Sequence, residues 1–222
     1  MADQRFNPTI IEEGLGAIAI VVSIVTSPLL RPWYHKWGTT TAEVNMSLPG
    51  DDLVPHPKLE ATRAITIKAP AATVWPWLVQ LGQGRGGWYS YERLENLAGC
   101  DMHNADQIIS EYQDLKVGDI VRMGPEEGYP TFDVITIEPG RALVLQGVMP
   151  SEQTKPTTWV YSFFIDPIDE ETVRLMLRFR LDYEPSLGNF LVWRVLTDPI
   201  DFVMERKMLQ GIKVRAEAAV SN

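Results

Sequence analysis

The residues able to do chemistry are few, and they gather in one place. Three histidines occur, at 35, 56 and 103, beside a single cysteine, Cys100. Only His103 lies in the body of the chain, flanked as Asp101-x-His103-x-x-Asp106. An imidazole between two carboxylates suits a divalent cation or a proton relay. Short polar clusters after a helix also cap turns, and no second histidine is near, so no metal is expected. A nucleophilic triad would have to form around His103, yet no nucleophile-elbow sequence is present. General acid or base work on an apolar substrate asks only for one group with a shifted pKa in a dry cavity. His103 and Tyr89 are the candidates, with Asp101, Tyr91, Glu92 and Arg85 also available, and nothing selects one. Gly82, Gly84 and Gly87 satisfy G-x-G-x-x-G. That motif needs a preceding strand and a parallel βαβ unit, and here it follows a helix, so no dinucleotide or other cofactor is expected.

Binding is written more densely than catalysis. Between Trp75 and Tyr91, five aromatic residues flank a glycine-rich turn, a composition fit for the mouth of an apolar cavity. Trp77, Trp88, Tyr89 and Tyr91 from this stretch are candidate ligand contacts. Trp159, Tyr161 and Phe163 on one face of a later strand join them, with Met204 and Met208 on the last helix as adaptable apolar lining. Arg174, Arg178 and Arg180 alternate with Leu175, Leu177, Phe179 and Leu181. The apolar set needs burial more, so the arginines are predicted on a solvated face.

These side chains need elements to hold them. Leu59 onward predicts a strand (ATRAITIKA), a helix opened by Pro70, the glycine turn, and a second helix capped by Ser90 and ended by Gly99. Five more strands follow, IVRMG, TFDVITIE, RALVLQGV, TTWVYSFFIDP and ETVRLMLRFRLDY, then a helical segment over 186–196 and a long helix capped by Asp198 with Pro199 at its first position. The order is an α+β pattern in which a curved antiparallel sheet of about six strands wraps a long C-terminal helix.

Ahead of this domain, Gly14 to Leu30 is free of charge and rich in Ile, Val and Ala. As a helix it would extend about 26 Å, slightly less than a bilayer's hydrocarbon core. Trp33, Tyr34, Trp37, Arg31 and Lys36 follow it in the manner of an interface belt. Asp3, Arg5, Glu12 and Glu13 precede it, which does not fit a secretory signal. The expectation is a retained, single-pass membrane helix over residues 1–38 with the rest in the cytoplasm, a linker or overlying arm over 39–58, and a ligand-binding domain over 59–222. A net charge of -9 excludes a nucleic-acid surface, and one cysteine excludes an internal disulfide.

The stretch WPWLVQLGQGRGGWYSYERLENLAGCDMHNAD, the LKVGD turn and the ending FVMERKMLQGIKVRAE resemble the SRPBCC superfamily, which includes START lipid-transfer domains, pollen-allergen-like carriers and polyketide cyclase or dehydrase-like proteins. The likeness is nearest to bacterial members with a hydrophobic segment in front. It implies a helix-grip fold with two short helices over one end of an internal cavity. Together these observations predict a membrane-anchored carrier of a hydrophobic small molecule such as a lipid, isoprenoid, pigment or polyketide-like compound. The alternatives are a cyclase or dehydrase-type enzyme, and an accessory subunit whose apolar helix meets membrane-protein partners. A cavity above about 300 Å³ would favour binding, and a buried His103 facing it would favour the enzyme.

Overall fold

The computed structural model describes residues 10–125, 128–149 and 157–221; Asp3 and Arg5 lie outside them. Six strands form one antiparallel sheet: β1 (Leu59–Ile67), β2 (Ile120–Arg122), β3 (Thr131–Glu138), β4 (Ala142–Val148), β5 (Thr157–Pro167) and β6 (Val173–Tyr183), in spatial order β1-β6-β5-β4-β3-β2. The two terminal strands in sequence are therefore neighbours, and the short β2 ends the far edge. A register shift between Val134 and Thr136 bends the β3–β4 ladder.

Alternation decides which face each side chain takes. Trp159, Tyr161, Phe163 and Ile165 face inward from β5, opposite Leu181, Phe179, Leu177 and Leu175 of β6. All are buried, and each such burial contributes about 1.5–3 kcal/mol. The long helix α6 (Asp198–Val220) closes this inner face through Met208, Leu209, Ile212 and Ala216. Helix α3 (Ala71–Val79) packs beside it, its Pro76 lying close enough to the start to be accommodated.

Two helix starts differ from the sequence expectation. The short α4 (Glu92–Leu97) begins after Tyr91, because the Ser90 hydroxyl is turned toward α6 and donates to the Met204 carbonyl. Asp198 does not cap α6. Ser186 caps a short α5 (Leu187–Asn189), which runs through a π-helical turn (Phe190–Thr197) directly into α6, leaving the Asp198 carboxylate free for side-chain partners.

The outer face is not solvated. Residues 38–58 form an arm across it, with a five-residue helix α2 (Thr41–Asn45) held by a Thr40/Glu43 capping box. The β6 arginines expected in water hold this arm. Arg174 bridges to both Glu43 oxygens, and Arg180 reaches the Asp51 carbonyl. Arg178, 3% exposed, donates to the Asp51 carboxylate, to the carbonyls of Glu43, Val44 and Met46, and to the Thr62 hydroxyl. Leu48 and Val54 of the arm fill the apolar gaps between these contacts.

The N-terminal helix α1 (Ile10–Tyr34) is docked along the domain, chiefly on α6. Its Gly16 is a close approach: a Cβ there would lie 2.5 Å from the Tyr91 ring. At its carboxyl end, Arg31, Tyr34 and His35 all bond the buried Asp198 carboxylate, at 2.9, 2.9 and 2.8 Å. Beyond it, Thr62 and Ala64 of β1 donate backbone bonds to His35 and Trp37. The opposite face of α1 is exposed and apolar, with Ile18, Val21, Val25 and Leu29 between 61% and 83% exposed. By length and composition α1 is the one helix among the described residues apolar enough to cross a membrane.

Candidate functional site

A cavity of about 200 Å³ lies between the sheet and the first turns of α6. Four of its walls are methionines: Met102 and Met123 from loops, Met204 and Met208 from α6. Trp88 and Tyr161 add aromatic surface, and Ile200, Ser90 and Cys100 complete the lining with three carboxylates, Glu95, Asp201 and Glu205. Residues 201, 204, 205 and 208 fall on one helical face, so α6 presents two acids and two thioethers to the same space.

The acids are set in unlike surroundings. Glu205, 3% exposed, accepts from Arg63 Nη1 of β1 and lies beside the Tyr161 hydroxyl, with no cation at its Oε1. Arg63 itself is 1% exposed and also donates to the Tyr34 carbonyl at 3.2 Å. Burial raises the Glu205 carboxyl, against the attraction of Arg63. Burial and the Glu205 charge push Asp201 well above the usual carboxylate range. Glu95, on α4, is pushed up to about 8 by burial and by the charges of Glu13 and Glu92, and its Oε2 is buried without a partner. Tyr161 is raised by burial and by the neighbouring Asp201 and Glu205 charges. A carboxyl that keeps its proton near neutrality inside an apolar wall can donate a hydrogen bond or act as a general acid.

The candidates read from the sequence are divided by the structure. Trp88, Tyr161, Met204 and Met208 line the cavity together. Tyr91 lies instead in a separate groove of about 180 Å³ between α1 and α6. Trp77, Trp159 and Phe163 are core: Trp77 packs edge-on to Tyr89, Trp159 meets Phe132 edge-on and Trp193 at a tilt, and Phe163 is fully buried. Tyr89 is buried away from the cavity, its hydroxyl accepting from Gln80 and its ring under Arg215. His103 is on the surface, its side chain 77% exposed beside Asp101 and Glu92, and Asp106 faces Arg215. The glycine turn is a tight hairpin in which Gly82, Gly84 and Gly87 all take positive φ, and Gly82 and Gly87 bridge each other; it carries Trp88 into the cavity wall.

Glu95, Asp201, Glu205 and Arg63 were not singled out by the sequence reading, although signals existed. Asp201 and Glu205 interrupt the apolar stripe of the last helix at helical spacing, and Arg63 shares the inward parity of Ile65 and Ile67 on β1.

No family description and no curated protein matches the chain. Solved structures do. A point mutant of norcoclaurine synthase from Thalictrum flavum, in complex with a transition-state analogue, is similar at 14% identity and TM-score 0.46, covering 73% of this chain and 96% of that one. The Aha1 dimer of Colwellia psychrerythraea is similar at 15% and 0.41, covering 72% and 96%. The Zhui aromatase/cyclase from Streptomyces sp. R1128 is similar at 13% and 0.38, covering 73% and 95%. Likeness at this level carries no chemistry across. The strand order of this chain, its two short helices beside the glycine turn and the long helix held by the sheet form a helix-grip fold.

Proposed function

We propose that the chain binds a small, largely apolar molecule in the cavity between the sheet and α6. The observation that carries this is the cavity itself, apolar on most sides yet lined by carboxylates that the protein leaves incompletely partnered. At about 200 Å³ it is below the usual range for drug-sized ligands. An apolar cavity of about 150 Å³ is enough for benzene, so the size suits a compact ring with a short substituent. A long lipid or pigment would need the cavity to open further. Aromatic and thioether surface supplies the driving force at roughly 25 cal/mol per Å² buried, and few polar groups orient the occupant.

A second reading, an acid–base enzyme of cyclase or dehydrase type, is favoured by Glu95, which stands in the wall with a carboxyl held near 8. In that reading Glu95 takes the role that the sequence offered to His103 or Tyr89. The exposed face of α1 supports membrane association, with membrane-protein partners as the other occupant of that face. A single-pass span requires α1 to leave its contacts with Asp198 and Tyr91.

Native mass spectrometry of gently extracted full-length protein tests the binding reading. A co-purifying small molecule, lost on replacing Met208 with Trp to fill the cavity, is the expected result. An empty protein in stable association with other membrane subunits would overturn it.

A further inference from the structure

We infer that the cavity takes a ligand bearing a cationic nitrogen on a compact apolar body; this rests on the binding reading above and names its ligand class. The observation is an excess of carboxyl groups over cations inside an apolar space. Glu95, Asp201 and Glu205 line the cavity, and among the described residues the one cation set against Asp201 and Glu205 is Arg63. That guanidinium is already engaged, by Glu205 Oε2 and by the Tyr34 carbonyl. Glu205, 3% exposed, has only the neutral Tyr161 hydroxyl beside Arg63 to support it, and no cation meets its Oε1 among the described residues. Among the described residues, the Asp201 carboxylate makes neither a hydrogen bond nor an ion pair, and Glu95 Oε2 is likewise without a partner.

A second observation is independent of the acids. Trp88, 6% exposed, and Tyr161 stand in the same wall, and aromatic faces attract cations by their quadrupole. Glu205 Oε1 and Glu95 Oε2 call for donors, and Trp88 Nε1 is the one donor of this wall among the described residues that is buried without a partner, so a ligand rich in donors fits best. An ammonium offers three donors and no acceptor. A carboxylate ligand would bring a further acid beside carboxyls that burial already raises, and a hydrocarbon would leave every acceptor unmet.

Each acid faces a defined set of charges. Around Glu95 are Glu13 of α1, Glu92 of α4 and the Cys100 thiol; around Asp201 and Glu205 are Arg63 of β1, Tyr161 of β5 and Asp198 of α6. Because burial favours the protonated acids, an entering cation drives a proton out. Binding is therefore tighter at higher pH across the neutral range.

The test is calorimetric titration of the full chain with benzylamine, benzyl alcohol and benzoate, in buffers of different ionisation enthalpy. Benzylamine is expected to bind at least about tenfold tighter than benzyl alcohol, with benzoate weakest and with proton release on amine binding alone. Asp201→Asn keeps the Arg63–Glu205 pair and is expected to lower benzylamine affinity about tenfold while leaving benzyl alcohol within about twofold, the alcohol serving as the check that the cavity is intact. Equal binding of amine and alcohol, or tighter binding of benzoate, overturns the charge inference and leaves the cavity reading standing. Failure of all three ligands to bind overturns both.

Discussion

At the scale of single residues, the cavity is expensive to maintain, and its titration is measurable. The Glu95 carboxyl holds its proton more tightly in the folded chain, near 8, than in the unfolded one. The folded state therefore binds more protons between the two values. Its stability is fully present below the ordinary carboxylate pKa and is lost as pH rises through about 8. Glu95→Gln is expected to abolish a loss on the order of 3 kcal/mol between acid and alkaline ends of that window, read by urea unfolding across pH. A parallel pH dependence in wild type and variant would refute the assignment. The Arg63–Glu205 pair gives a second prediction. Arg63→Met leaves the Glu205 carboxyl unsupported in the interior and should cost about 3 kcal/mol or more, whereas Arg63→Met with Glu205→Leu should recover most of it. A double variant no more stable than the single one would show that the pair matters for something besides mutual compensation.

At the scale of elements, the arm over 38–58 and helix α1 are each fastened by a buried charge that the sequence alone leaves ambiguous. The arm hangs on Arg178, whose guanidinium satisfies three carbonyls, one carboxylate and one hydroxyl. Arg178→Ala is expected to cost about 2–4 kcal/mol. Hydrogen exchange should quicken in Val44 to Leu53 while β5 and β6 stay protected. Protection lost uniformly across arm and sheet would mean that the arm is no separable unit. Helix α1 is fastened at Asp198, where burial alone would raise the carboxyl but His35 and Tyr34 hold it below its ordinary value. These contacts make α1 a part of the folded domain along its inner face, whatever its outer face meets.

At the scale of the whole molecule, α1 presents one face to the domain and another, apolar one outward. The chain's net charge of -9 gives no general attraction to anionic lipid, so any membrane affinity must come from that apolar face. Val25 and Leu29 are 73% and 83% exposed. Val25→Asp with Leu29→Asp should leave the melting temperature within about 2 °C, because neither is packed. The same pair should abolish flotation with neutral phosphatidylcholine vesicles. Flotation that persists in the double variant would direct attention to the π-helical segment, where Phe190, Leu191 and Leu196 are also exposed.

Much of this was legible without coordinates. Alternation in β1, β5 and β6 and the 3.6-residue stripe of α6 are local properties of the chain, and so the strands, the helices and the α+β class could be read from residue order. Four of the nine expected ligand contacts line the cavity: Tyr161, Met204 and Met208 because each lies on the inward face of its element, and Trp88 because the glycine turn carries it there. What no local pattern decides is which distant faces meet. His103 has catalytic chemistry but falls on the surface, and Glu95 has an ordinary sequence context but falls in the cavity wall, where burial raises its carboxyl. Asp198 reads as a cap until α1, more than 160 residues away, brings three donors to it. The β6 arginines read as solvated until the arm covers them. Periodicity is set within a few residues, whereas burial and charge pairing depend on contacts across the whole chain, and only the tertiary structure determines those.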